Sequence, residues 1–400
     1  MKKRIDIKRN VLLQVVIVLV IVVMCIIKKI SDYGNTYKYL EDYNYVWKLL
    51  ETAYPYYDYI NSQAVALNEI KESYRNEVLE IENEEDFSNM LSRMFNELGG
   101  LGHLSVVDNY TYNSYCNVLN NGESFGNDKM DIAFSKRLDS KKINQLYHVE
   151  NLDSLNEKKE FSSSIEIQYW EDIKTAYIKI SSFSSDLIER DSTLMQDTVK
   201  KYPDIKNVIF DISGNSGGSD IYWIQNIVEP FGGDYTQKSI IYLKESSLSE
   251  EYIGNDNLRE ILQNGDEPNC INRYGLNQYI DNTLCICKGS QLQSKNSDIK
   301  RWVIISGKTY SSADSFAQFC KDTGWAILVG TNTGGAGGGM TPIVEILPNT
   351  GILIRFSIDV VVNDNGELNV IEGTQPNIRC IKNETALDKC IEQIENKERE

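Results

Sequence analysis

Two stretches of this 400-residue chain hold the residue types that acyl transfer requires. In Lys308-Thr309-Tyr310-Ser311-Ser312-Ala313-Asp314, a serine pair stands where a buried strand, Trp302 to Ser306, gives way to a helix. A serine hydroxyl at such a turn is exposed, and the helix N–H groups beside it favour a developing anion. Phe210-Asp211-Ile212-Ser213-Gly214-Asn215-Ser216-Gly217-Gly218 is a second buried strand, running into a glycine turn. Glycines there let backbone N–H groups approach a ligand closely, as an oxyanion site demands. Taken singly, Ser311 also reads as a helix cap and Gly217-Gly218 as a tight turn. The glycine turn lacks the Gly-Lys-Ser/Thr ending of a phosphate loop.

A serine nucleophile needs a base that titrates near neutrality, and histidine is the usual one. The chain has two, His103 and His148. His148 sits in Leu146-Tyr147-His148-Val149, an ordinary strand pattern, whereas His103 follows the turn Gly99-Gly100-Leu101-Gly102, where loops meet. His103 is therefore the preferred partner of Ser311. Glu372, Asp314 and Asp108 are candidate carboxylates to orient it. Two histidines exclude a His-rich metal site, and Cys285-Ile286-Cys287 is not a zinc spacing, so no metal or cofactor is expected.

The elements that position these groups follow from hydrophobic period. Residues 31–102 show helical spacing in Tyr43 to Ala53 and Phe87 to Leu98, and form a small helical domain. Leu104 to Ile180 reads mostly as β, with alternation in Ile165 to Tyr169 and Ala176 to Ile180. A helix over Ser192 to Tyr202 and the strand Asn207 to Ile212 complete a β-α-β unit, which favours parallel pairing. Residues 236–300 are polar and read as an insertion or lid. The run Gly334-Gly335-Ala336-Gly337-Gly338-Gly339 reads as a mobile loop. Thr341 to Leu347 and Ile352 to Ile358 form a hairpin, and a helix starts at Leu387. The fold class is α/β (α+β): a tail and anchor over 1–30, helices over 31–102, and an αβ core over 103–400.

Val11 to Ile27 is apolar apart from Gln14, the short end for a membrane-spanning helix. Five basic residues precede it and two follow, which predicts the N-terminus inside and the bulk of the chain outside, on a single uncleaved anchor. Net charge is −17, and residues beyond 29 carry −23 of it against the basic leader. So acidic a body repels nucleic acid. Eight cysteines in irregular spacing leave both disulfides and buried thiols open.

These residues together resemble peptidase family S41, the family of C-terminal processing proteases and the tricorn core. The resemblance covers about residues 165–380, with His103 upstream. Its parts, in the family's order, are Ala176 to Ile180 with Phe183; Val208 to Gly218, similar to Ile-Asp-Leu-Arg-Gly-Asn-Pro-Gly-Gly; Thr309 to Asp314; Ile327 to Gly334; and Glu372 to Ile378. The processing proteases pair their serine with a downstream lysine. Here that position falls on Ala336, and no lysine occurs between Lys321 and Lys382. The tricorn-like branch, with its nisin-resistance-type members, pairs the serine with an upstream histidine, and Thr309 to Asp314 is similar to their Thr-Ala-Ser-Ser-Ala-Glu. Ser213, Tyr310 and Asp314 stand where the family has Arg, a small residue and Glu. The resemblance implies Ser311 as nucleophile, His103 as base and Glu372 as its orienting carboxylate. It implies Ser312 with Gly217 or Gly218 as oxyanion donors. It implies a membrane-anchored serine peptidase without a PDZ domain, acting on an extended peptide, an antimicrobial peptide in the sharper form. The alternative is a non-catalytic peptide- or lipid-binding module on the same fold.

Overall fold

The computed structural model describes residues 20, 22–24, 37–63, 66–140, 142–147, 164–261, 268–286 and 299–398. His148 and nearly all of the predicted anchor lie outside these residues. Residues 20 and 22–24 are helical, with Val20, Val22, Val23 and Met24 exposed. Among the described residues no helix is long and apolar enough to cross a membrane.

In chain order the strands are β1 (Ser105–Val106), β2 (Ile165–Trp170), β3 (Thr175–Ile180), β4 (Asn207–Asp211), β5 (Tyr235–Leu243), β6 (Arg259–Glu260), β7 (Gln278–Ile286), β8 (Lys300–Ile305), β9 (Ile327–Gly330), β10 (Ile343–Ile346), β11 (Leu353–Phe356), β12 (Asp359–Val361) and β13 (Ile378–Arg379). A six-stranded sheet runs β13-β9-β8-β4-β3-β2. It is parallel except for β2, which pairs antiparallel with β3. The helix Ile188–Lys201 bridges β3 to β4, and Ser312–Thr323 bridges β8 to β9, each as a parallel crossover. β1-β11-β10 and β12-β5-β7-β6 are smaller antiparallel sheets. The α/β class therefore holds, with mixed rather than purely parallel sheets.

Strand runs such as Val208, Ile209 and Phe210 are buried on both faces because helices cover both sides. The helices over 37–97 do not pack apart from the rest. Trp47, Tyr54 and Phe95 share one apolar cluster with Tyr252, Ile271, Ile343 and Phe356. Polar clasps join the same parts. Asp42 accepts from the N–H of Asn349 (2.9 Å) and of Thr350 (2.7 Å), and buried Arg137 binds both Glu345 and Glu251.

The structure corrects three expectations. Asn109–Asn120 and Asp128–Leu138 are helices, not β. Their aromatic and branched residues suggested strands, but Asp108 and Asn127 cap them through side-chain bonds to Thr111 N–H and Met130 N–H. Residues 236–300 are not merely a lid, because Leu243, Leu248, Tyr252, Ile271 and Leu276 enter the main core. The glycine run is held by named hydrogen bonds, described below. The six described cysteines, Cys116, Cys270, Cys285, Cys320, Cys380 and Cys390, are free thiols.

Candidate active site

His103 is delivered by a left-handed turn. Gly99, Gly100 and Gly102 have φ of 88°, 58° and 55°, and His103 itself has φ 64°. A Cβ on Gly102 would run into the Tyr56 ring, so a glycine is needed there on both counts. The turn is pinned from two sides. Tyr54 Oη donates to Leu101 O (2.7 Å), and Ser357 N–H donates to Gly102 O (2.7 Å). The N-terminal helices and the β1-β11-β10 sheet thus hold the imidazole between them.

Ser311 follows β8 and immediately precedes the helix Ser312–Thr323. Its φ of 55° and ψ of −127° lie where a residue with a side chain rarely sits, a strain of order 1–3 kcal/mol that the surroundings must impose. The constraints are visible. Ser311 N–H donates to Gly335 O (3.0 Å), and Tyr310 N–H donates to Asn215 O (3.1 Å). Gly217 packs directly against the turn: a Cβ there would lie 2.8 Å from Tyr310 O and 2.9 Å from Ser311 Cβ. The result places His103 Nε2 3.0 Å from Ser311 Oγ, across 208 residues of sequence. The Tyr310 ring packs against the imidazole with centroids 5.2 Å apart.

The neighbouring donors divide. Gly217 N–H is engaged by Asn215 Oδ1 (2.8 Å). The N–H groups of Gly218 and Ser312 have no acceptor among the described residues.

Burial first, and the Arg355 guanidinium second, push the His103 imidazole down to about 4. The ring is therefore neutral at physiological pH. Its buried Nδ1 has no hydrogen-bond partner among the described residues. None of the three expected carboxylates orients it. Asp108 is exposed and caps a helix through Thr111 N–H. Glu372 ends the short helix Asn369–Glu372 with its side chain exposed, while its carbonyl accepts from Asn332 Nδ2 (2.8 Å). Asp314 is fully buried and committed elsewhere.

Asp314 collects five donors. Oδ1 accepts from Thr333 Oγ1 (2.5 Å) and Thr374 Oγ1 (2.7 Å). Oδ2 accepts from Asn369 Nδ2 (2.6 Å), Gly337 N–H (2.9 Å) and Gln318 Nε2 (3.0 Å). One carboxylate therefore fastens the glycine run and the segment around Thr374 to the helix that starts at Ser312. Gly338 N–H is tied to Ser315 Oγ (2.8 Å) as well. Because Gly335 O holds Ser311 N–H, these bonds also fix the serine. From the sequence, Asp314 reads only as a candidate partner of the histidine. Its run of hydroxyl and amide partners is scattered over residues 318–374 and has no local signature.

The far end of the run rests on Asp359, whose Oδ2 accepts from Met340 N–H (2.9 Å). Burial pushes this carboxyl up to about 6. Its Oδ1 and the Asn369 Oδ1 are both buried without partners among the described residues, and both residues line one small cavity. With a folded pKa above the unfolded value, Asp359 costs nothing below about pH 4 and most above pH 6. Asp359→Asn keeps the acceptor for Met340 and removes the charge. It should stabilise the protein by about 1–3 kcal/mol at pH 7.5 and by nothing near pH 4. Urea unfolding at the two pH values checks this, and an equal effect at both would reject it.

The sequence pattern of peptidase family S41 matches residues 174–380, and that of the tricorn protease C1 domain matches residues 36–96. No curated protein matches the sequence significantly. Solved structures share the fold, two of them as follows. A candidate peptidase from Parabacteroides merdae ATCC 43184 has 16% identity and a TM-score of 0.52, covering 90% of this chain and 96% of that one. Mature CPAF complexed with lactacystin has 14% identity and a TM-score of 0.53, covering 90% of this chain and 97% of that one. The family match takes in more than half of the sequence, including the glycine turn, the strained serine and the Asp314 cage: the chain belongs to peptidase family S41 and is a serine-type peptidase.

Proposed function

We propose that this chain is an endopeptidase that cleaves extended peptides through a Ser311–His103 dyad. The 3.0 Å contact between Nε2 and Oγ carries this reading. Ser311 Oγ attacks the scissile carbonyl carbon as Nε2 takes its proton. The tetrahedral oxyanion is met by the N–H groups of Ser312 and Gly218, the two donors left open at the turn. The imidazolium then gives the proton to the leaving amine, and water hydrolyses the acyl-enzyme by the same route in reverse. Gly217 N–H is taken by Asn215 Oδ1 and the Glu372 side chain is exposed, so the proposal gives neither a direct role at the dyad.

The peptide lies along a sheet edge as an added strand. β1, an edge strand two residues beyond His103, is suited to this. The apolar stretch Val11 to Ile27, with its basic flanks, supports a single-pass anchor and a peptidase domain on the outer face of a membrane. Peptides met there include antimicrobial peptides of the lantibiotic class, the sharper reading, and surface proteins in need of processing, the broader one.

The test uses the full-length protein in detergent, first with a fluorophosphonate probe and then with a mixed peptide library read by mass spectrometry. Labelling confined to Ser311, together with cleavage products that share a sequence preference, supports the proposal. A protein that folds but is not labelled at Ser311 would refute it.

A further inference from the structure

β11 brings one cation up to the dyad. Arg355 stands opposite Ser105 in the β1–β11 pair, and its Nε donates to Ser105 Oγ (3.0 Å). Ser105 Oγ donates in turn to His103 O (3.0 Å). The guanidinium is half-buried, and its remaining N–H groups have neither a hydrogen bond nor a carboxylate partner among the described residues. By contrast, Arg137 is taken up by Glu251 and Glu345, Arg259 by Asp281, and Arg301 by the carbonyls of Trp325 and Phe231. The chain has fifty-eight acidic residues, and among the described ones none is spent on Arg355. A partly buried guanidinium left unpaired is costly, and it presents a planar fork shaped for a carboxylate.

We propose that Arg355 is a specificity-determining residue that pairs with a carboxylate of the peptide substrate beside the scissile bond. This rests on the dyad reading above. The carboxylate comes either from the peptide's C-terminus or from an aspartate or glutamate side chain. The pairing also acts on the base. Arg355 depresses His103 through its charge, so a carboxylate that neutralises Arg355 restores proton affinity to Nε2. The substrate that fits thus strengthens the group that must deprotonate Ser311. By linkage, the carboxylate binds more tightly when His103 is protonated, to the same degree.

The experiment uses full-length Ser311→Ala protein in detergent, immobilised, so that binding is read without turnover. Two random octapeptide pools, one with free C-terminal acids and one amidated, are isotopically encoded, mixed equally and passed over it. Retained peptides are counted by mass spectrometry. Enrichment of the acid pool by about 10- to 100-fold, the range a charge-assisted hydrogen bond supplies, marks the C-terminus as the source. Similar enrichment of Asp or Glu at one position of the amidated pool marks a side chain. Adding Arg355→Gln should abolish the preference. Arg355→Lys should keep part of it, and Ser105→Ala, which removes the Arg355 contact but not the charge, should keep most of it. Equal retention of both pools without an acidic position, no retention at all, or a preference that survives Arg355→Gln would overturn the proposal. A carboxylate preference in a protein that fluorophosphonate does not label would instead count against the dyad alone. In active protein, Arg355→Gln should also move the acid limb of kcat/KM to higher pH, which a purely structural role would not do.

Discussion

Ser311→Ala lowers kcat/KM by about 10⁴-fold or more, His103→Ala does the same within about tenfold, and the double variant is no worse than either single one. The non-additivity follows from geometry. In the proposed dyad Nε2 and Oγ, 3.0 Å apart, share one proton path, so losing either end removes the whole function. The pH profile of the wild-type protein adds an independent check. The base must be neutral, and His103 is held at about 4 by burial and by Arg355. kcat/KM should therefore stay level from pH 7 to about 5 and fall with a midpoint near 4. Stability carries the same sign. The native state disfavours the imidazolium, so folding free energy is lost as pH drops from the unfolded value of about 6.5 toward 4. Initial rates from pH 3.5 to 9, with circular dichroism alongside, separate the two. An acid limb near 6.5 in a protein still folded would show that His103 is not the group being titrated.

Asp314→Ala is expected to lose about 3 kcal/mol or more of stability and at least about 10²-fold in kcat. The substitution strips the acceptor from Thr333, Thr374, Asn369, Gly337 and Gln318 at once. Each buried donor left unpaired costs about 1–3 kcal/mol, partly recovered where a threonine hydroxyl rotates. The catalytic effect is indirect. Release of Gly337 frees Gly335 O, the acceptor that holds Ser311 N–H in its strained conformation. Asp314→Asn, which keeps one oxygen and the volume, should fall between Ala and wild type in both properties. Thermal unfolding and steady-state kinetics on the three proteins make the comparison. Wild-type kcat in the Ala variant would mean that the glycine run holds its shape unaided.

Much of the site could be read from residue types. Ser311 stood out because a strand ends just before it and a helix begins just after it. His103 stood out because only two histidines exist and only one follows a glycine turn. What escaped reading depends on register between distant segments. Arg355 sits in Leu353-Ile354-Arg355-Phe356, an ordinary strand, and gains its meaning only from facing Ser105, 250 residues earlier. Glu372 was placed by family pattern, yet the turn at Asn369–Glu372 sends its side chain outward. The glycine run looked mobile because local composition says nothing of a carboxylate such as Asp314, buried 23 residues upstream of Gly337. The helices at 109–138 were missed because their capping residues, Asp108 and Asn127, were outweighed by tyrosine and phenylalanine content.

The sequence distance between the histidine and the serine sets a timetable. During synthesis His103 is made 208 residues before Ser311, and the clasp from Asp42 to Thr350 closes later still, across 308 residues. Such long-range closures are among the last and slowest events of folding. On the proposed Ser311–His103 dyad, a chain halted, truncated or still threading out of the ribosome has the base without the nucleophile, or the nucleophile without the sheet that pins the base. Hydrolytic power arrives only with the finished molecule, and the cell that makes it is spared a half-built protease.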